Sequence, residues 1–409
     1  MSRFLIVVPP LAGHVLPTVG VGRELAARGH EVAWSGSEPV LRPLLGPDAE
    51  VLATGSRLFR AQGGQGLAAL RSLWEGFIVP YARFTAKALD RAVTDHRPDV
   101  VLVDQHTPAG ALVAHRHGLH WASLAPGAME LGRPFRALPR VEAWMDERLR
   151  ELWQRAGLPP EEFVDPRFSP ELVLALTGPA LTGPASTGAA STGAASTGTG
   201  AFPEHYALVG PVLTERPSDP GFPWERLVPG RRRVLVTMGT LAADVSADFH
   251  ARAVQALHRL AADGVQAVVA APPELLPPLP ADAVAAERVP VLELLGRGLL
   301  DAVVCHGGMN TVGEALSHGI PLVTAPIRHD QPFVAEQLAA AGAGLRVPSA
   351  RVTAAGLAAA VSEVLDDPRY RAAAVRTGAA LRACGGAGAA VDRLEALAAT
   401  TPHRRNQMV

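Results

Sequence analysis

The chain has 409 residues, too many for one comfortable core and about right for two α/β units. Its formal net charge of −1 offers no basic surface for nucleic acid or an acidic membrane. The two cysteines, Cys305 and Cys384, lie far apart in sequence; this excludes a disulfide framework or a metal-ligand spacing and suits a reducing cytoplasm.

In chain order, Arg3 to Val8 reads as a strand. Pro9 and Pro10 stop it, so it is not a signal peptide, and no apolar run reaches the ~18 residues of a membrane span. Pro9 to Val15, PPLAGHV, is predicted as a turn, and Leu16 to Arg28 as a helix ended by Gly29. Strands follow at Glu31 to Ser35 and at Asp99 to Val103, the latter ending at Asp104. Alternating strands and helices with short loops predict a parallel, doubly wound sheet.

Two aromatic regions interrupt this rhythm. Ser56 to Phe84 carries Phe59, Trp74, Phe77, Tyr81 and Phe84; Phe135 to Trp153 carries Trp144, Met145 and Trp153. Helical core packing would account for them, but their place in long connections also suits an apolar ligand pocket. From Leu176 to Gly200, Thr-Gly recurs every five residues. Such low complexity cannot bury enough apolar surface to offset ordering entropy, and 176–200 is read as a flexible insertion.

Val209-Gly210-Pro211 and the proline-rich Arg216 to Pro229 mark a linker, taken as 211–230, between a first unit 1–210 and a second, 231–380. Arg233 to Thr237 opens the second unit, and Met238-Gly239-Thr240 follows it as a glycine turn. Gly264 to Ala270 is another strand. Glu287 to Leu295, ERVPVLELL, precedes the most informative stretch, Leu300 to Phe333. There Ala302 to Cys305 is a buried strand, and His306-Gly307-Gly308 turns the chain. Asn310 or Thr311 is expected to cap a helix to about His318, and Ile320 to Ala325 is the next strand. This unit aims the N–H groups of a helix start past the carboxyl edge of a sheet, where phosphates fit. His306, Gly308, Asn310 and Thr311 stand at that start, Glu314 lies one turn on, and Asp330-Gln331 returns to the same edge. Phosphate binders, a carboxylate for ribose and an acid-amide pair for sugar hydroxyls are what a nucleotide-sugar needs. The final helices occupy Pro368 to Ala398, and the segment 381–409 ends in a polar tail.

HGGMNTVGEAL followed by GIPLVTAPIRHDQ resembles the donor-site signature of GT-B nucleotide-sugar glycosyltransferases. It is most similar to the inverting bacterial enzymes that glycosylate antibiotics and other natural products, relatives of the plant UDP-glycosyltransferases. The resemblance implies an α/β architecture of two doubly wound Rossmann-like domains facing across a cleft. The first would bind the acceptor and the second the nucleotide-sugar, with the terminal helix crossing back to the first. It implies donor contacts from Thr240, Val289, His306, Gly307, Gly308, Asn310, Thr311, Glu314, Asp330 and Gln331, with Val289 in the base-recognition loop. Trp74, Phe77, Tyr81, Phe84, Trp144 and Met145 become candidate acceptor contacts.

The acceptor hydroxyl must also lose its proton, and a histidine suits that task. His14 follows the first strand in GHVLP, and Asp104 ends VLVDQ at the same sheet edge, where a carboxylate can hold the imidazole tautomer. Both match the family's catalytic pair. His106 is an acceptor-site candidate; His115, His117 and His120 have no comparable context. No DxD triplet suits a divalent metal, so no metal and no cofactor are expected, the nucleotide-sugar being a co-substrate. The expected activity is inverting transfer of a hexose or deoxyhexose from a UDP- or dTDP-sugar to a hydroxyl of an apolar small molecule. A non-catalytic glycosyltransferase-like helper and a nucleotide-sugar epimerase are the alternatives. Epimerases of this architecture usually place carboxylates in the cleft, and the GHVLP turn and the aromatic regions argue against that reading; a helper would not need both His14 and Asp104. Sugar, base, acceptor atom and oligomeric state, a homodimer included, stay open at this point, as does the role of the repeat, a departure from the family.

Overall fold

The β-branched runs of this chain are separated by helices, so successive strands can only pair side by side and in parallel. The computed structural model describes residues 1–57, 64, 66–132, 134–183, 202–214, 221–239, 247–272 and 276–400. The first sheet contains β1 (Arg3–Val7), β2 (Glu31–Gly36), β3 (Glu50–Ala53), β4 (Val100–Asp104), β5 (His120–Ala125), β6 (Val173–Ala175) and β7 (Tyr206–Leu208). Their spatial order is β3-β2-β1-β4-β5-β6-β7. The second contains β8 (Arg232–Thr237), β9 (Val265–Ala270), β10 (Val284–Ala286), β11 (Ala302–Cys305), β12 (Leu322–Thr324) and β13 (Gly344–Arg346), ordered β10-β9-β8-β11-β12-β13. The fold is α/β with two Rossmann-like sheets. Each order reverses once, between β1 and β4 and between β8 and β11. In open parallel sheets the ligand crevice lies at the carboxyl ends of such a pair. The register sets Val7 beside Val103 and Thr237 beside Cys305, so the residues that follow these four strands form the two crevices.

Both faces of the first sheet are covered, as a parallel sheet requires. Phe4, Ile6, Leu102 and Leu124 pack on one face with Val391 and Leu394 of the last helix, Gly386–Ala398. The chain therefore returns from the second unit to the first. Arg28 reaches Asp392 at 2.6 Å and Glu395 at 2.9 Å, and His30 meets Glu395 at 2.9 Å. Water screens exposed pairs of this kind so that they contribute little, whereas one buried Leu or Val contributes ~1.5–3 kcal/mol, so the apolar contacts dock this helix. Among the described residues no helix is long and apolar enough to cross a membrane.

The structure corrects the reading of 176–200 as one insertion. Leu176 N–H donates to Ala125 across the sheet, and Leu181 is buried among Ala128, Leu294 and Leu338 of the second unit's core. The apolar residues of LTGPALTG, 176–183, have a core to join. Residues 184–200, Phe59 and the tail 401–409 lie outside the described residues.

One close approach is directly testable. Gly378, in the helix Pro368–Arg382, passes so near the signature helix that a Cβ would stand 1.7 Å from the Leu316 carbonyl oxygen. Gly→Ala normally favours a helix by ~1 kcal/mol. Here a rigid backbone atom blocks the methyl, and overpacking costs ~1–3 kcal/mol or more. Gly378→Ala is expected to lower the melting temperature in calorimetry; an unchanged or higher value would mean that the two helices separate easily.

Candidate active site

His14 is the point at which the first crevice acquires chemistry. The first helix, Ala12–Ala27, starts four residues earlier than its sequence suggests and includes Pro17. His14 thus stands in the helix's first turn, not in a loop before it. Its Nδ1 lies 2.8 Å from Asp104 Oδ2, and the Asp104 side chain is fully buried while that of His14 is 21% exposed. The other Asp104 oxygen accepts from the His106 backbone N–H at 2.8 Å. With Nδ1–H donated to the carboxylate, Nε2 is the basic atom of the ring. Burial by itself would lower the His14 pKa, but the charge and hydrogen bond of Asp104, with Asp330 beyond, carry it above the ordinary 6.5.

The His106 ring packs on His14 with centroids 4.5 Å apart. Burial, then the positive potential of His14, His329 and Arg167, holds its pKa well below 6.5, so it is neutral. His14, Asp104 and His106 also bring three potential metal-ligand atoms within 4.8 Å of one another. Two of those residues already satisfy each other through the His14–Asp104 hydrogen bond.

The opposite wall grows from β8 and β11. His306 follows β11, its ring between two glycine turns. A Cβ would come 2.7 Å from this ring at Gly239 and 2.6 Å at Gly308. Gly239 has φ +73°, so glycine is required there for conformation as well as space. Burial pushes the His306 pKa down to about 4, the Thr237 backbone opposing the shift, which makes His306 a neutral hydrogen-bonding group. The signature helix runs Met309–Ser317 with Gly308 at its N-cap position. No side chain caps it, which corrects the expectation that Asn310 or Thr311 does. Asn310 is already inside the helix, and its Nδ2 donates across the cleft to the Gly13 carbonyl at 2.7 Å. Thr311 follows on the same helix. Glu314 is buried and faces Leu16, Pro17 and Val212. Gly307, at φ +85°, lies against the Gln331 carbonyl.

Asp330 also crosses the cleft. Its Oδ2 would be 3.0 Å from a Cβ on Gly127, in the loop after β5. Burial raises its pKa, and the charge of His14 partly opposes this. Gln331 is 8% exposed, and its Oε1 accepts from the N–H groups of Ile327 and Arg328 at 2.9 and 3.0 Å. The carbonyl half of the expected sugar-binding amide therefore shapes its own loop. His329, immediately before Asp330, has φ +57°, a conformation L side chains rarely adopt, which no sequence pattern reveals. Val289 is partly buried against the second core, and Thr240 lies outside the described residues.

The expected aromatic pocket is corrected. Trp74, Phe77, Tyr81 and Met145 are no more than 2% exposed and belong to the core under Val7 and Val103. Trp144 packs edge-on to Trp74 at 6.1 Å, and Phe84 is 44% exposed. Trp74, Phe77 and Tyr81 lie on the buried face of one continuous helical segment from Gly66 to His96, which includes a π-helical stretch at Trp74–Ile78, and Trp144 and Met145 lie on the helix Pro139–Arg155.

Comparison with known proteins finds glycosyltransferases of the same fold. A family model described as UDP-glucoronosyl and UDP-glucosyl transferase matches residues 229–380. The 4'-demethylrebeccamycin synthase of Lentzea aerocolonigenes is 29% identical over 92% of this chain and 94% of its own. Among solved structures, the glycotransferase of kitacinnamycin superposes with a TM-score of 0.79 at 25% identity, covering 97% of this chain and 99% of its own. The spinosyn rhamnosyltransferase SpnG complexed with thymidine diphosphate gives 0.74 at 26%, covering 97% and 100%.

The environment of His14 fixes a titration. Followed by NMR, its ring should lose its proton at a pH above the ordinary 6.5. Asp104→Asn removes the carboxylate that raises the value while leaving the ring buried, so the midpoint should fall. A midpoint that is unmoved in Asp104→Asn would mean that the carboxylate does not hold this imidazole.

Proposed function

We propose that this chain, a GT-B glycosyltransferase of the bacterial natural-product type, transfers a hexose or deoxyhexose from a UDP- or dTDP-sugar to a hydroxyl of an apolar small molecule with inversion. The observation that carries the reading is the His14–Asp104 pair, which faces the start of the signature helix across one cleft. His14 Nε2 takes the proton of the acceptor hydroxyl. The acceptor oxygen attacks the anomeric carbon as the carbon–oxygen bond to the diphosphate breaks on the opposite face, and the bonding pair leaves with the phosphate. Asp104 stabilises the imidazolium so formed. Charge developing on the diphosphate is met by the first-turn N–H groups of the signature helix and by neutral His306 as a hydrogen-bond donor. Asp330, at the same cleft, is suited to the donor sugar's hydroxyls. Thymidine diphosphate bound to the spinosyn rhamnosyltransferase supports a dTDP-linked donor as well as a UDP-linked one. The signature supplies no carboxylate cluster for a divalent metal beside the diphosphate, and transfer is proposed to need none.

Thermal-shift titration with UDP and dTDP should raise the melting temperature with at least one, as binding to the native state must. With the matching sugar nucleotide, His14→Ala should cut transfer to a hydroxyl acceptor by about 100-fold or more. Nucleotide binding should hardly change, because its groups belong to the other wall. Activity should survive EDTA. Near-normal transfer by His14→Ala would move the base elsewhere, and a loss in EDTA restored by magnesium would overturn the metal-free mechanism.

A further inference from the structure

The Gly13 carbonyl has an unusual history within its own helix. In an α-helix it would accept from the N–H of residue 17. Residue 17 is Pro17, which has no N–H and whose ring pushes that carbonyl outward. A backbone carbonyl left without its helical donor needs another partner. The partner comes from the other domain: Asn310 Nδ2 donates to it at 2.7 Å. The two atoms concerned are placed where the chemistry is divided. Gly13 carries the peptide immediately before His14, and Asn310 is the second residue of the helix whose start faces the leaving group. Leu16 and Pro17 close on Met309, Asn310 and Glu314 around this bond.

We propose that Asn310 and Pro17 together form a clasp that positions the His14 turn against the donor site, Pro17 by vacating the Gly13 carbonyl and Asn310 by holding it across the cleft. The inference rests on the transfer reading for its kinetic consequence but not for its geometry. The Asn310 amide has a second N–H and an oxygen that remain for the donor. A bound diphosphate therefore orders the same side chain that orients the base, and the two steps of the reaction are mechanically joined. Asn310 and Pro17 are positioning residues here, since each acts on the proton transfer through His14.

The proline makes the idea separable from direct donor binding. Pro17→Ala restores a helical N–H at residue 17, which competes with Asn310 for the Gly13 carbonyl, and it alters neither the His14 side chain nor any residue of the signature helix itself. In ligand-free protein, the His14 ring resonances, assigned by their loss in His14→Ala, should shift in both Asn310→Ala and Pro17→Ala. At saturating donor, both variants should lower kcat for transfer by about tenfold, the scale of one lost hydrogen bond. Donor hydrolysis without acceptor should fall less. The double variant should be little worse than either single one, because both break one bond. The clasp is overturned if Pro17→Ala leaves the His14 resonances and kcat at wild-type values, or if Asn310→Ala raises only the donor KM. If the wild-type protein transfers no sugar at all, the functional reading falls, while the His14 resonances in the two variants still decide the clasp.

Discussion

A carboxylate with no exposure to water has to be satisfied by the protein alone, and the cleft is organised by how Asp104 is satisfied. One oxygen is taken by His14 and the other by the His106 amide. These bonds fix the carboxylate's rotamer, and through it the tautomer and direction of the His14 ring. The pair can exist only because β1 and β4 are neighbours with a crossover between them, so that residues 90 positions apart emerge at one sheet edge. The facing wall is built without a counter-charge. His306 is kept neutral, and the helix start beside it contributes backbone dipoles in place of a cation. A histidine oriented by a buried carboxylate on one side and a neutral histidine beside a helix start on the other suit the proposed reaction, in which a proton moves one way and a phosphate leaves the other.

The parallel sheets and their crevices were legible because short β-branched runs stopped by glycine or proline admit few other arrangements. His14 and Asp104 could be matched for the same reason: each directly follows or ends a strand, and strand ends define the edge. Features that depend on contacts between distant segments were not legible. The first helix was expected from Leu16, after the PPLAGHV turn. It begins at Ala12, and the carbonyl that Pro17 leaves without a helical donor is met by a residue nearly three hundred positions away. Gln331 reads as a sugar ligand by composition, but loop geometry directs its carbonyl inward. Trp74, Phe77 and Tyr81 carry the periodicity of a packed helix face, and periodicity alone does not distinguish a core from a pocket.

His106 and His329 illustrate a different limit. His106 was only an acceptor-site candidate and His329 an unassigned member of the signature, and the surroundings give each its character: a ring stacked on His14 in one case, a left-handed backbone beside Asp330 in the other. Their neutrality follows from burial and from neighbouring positive charge, quantities that exist only once the two walls face each other.

The last helix has a consequence for how such proteins can be recombined. The chain passes from the first sheet to the second after β7 and passes back between Arg382 and Gly386, so the first domain is discontinuous in sequence. An exchange of acceptor halves between relatives through a single junction in the linker would pair one parent's first sheet with the other parent's Val391 and Leu394. Those side chains fill the space beneath Phe4, Ile6 and Leu102, so a mismatched pair would carry cavities or overlaps in the layer that supports β1 and β4. A functional chimera of this architecture therefore has two crossovers, with the final thirteen-residue helix travelling with the N-terminal half.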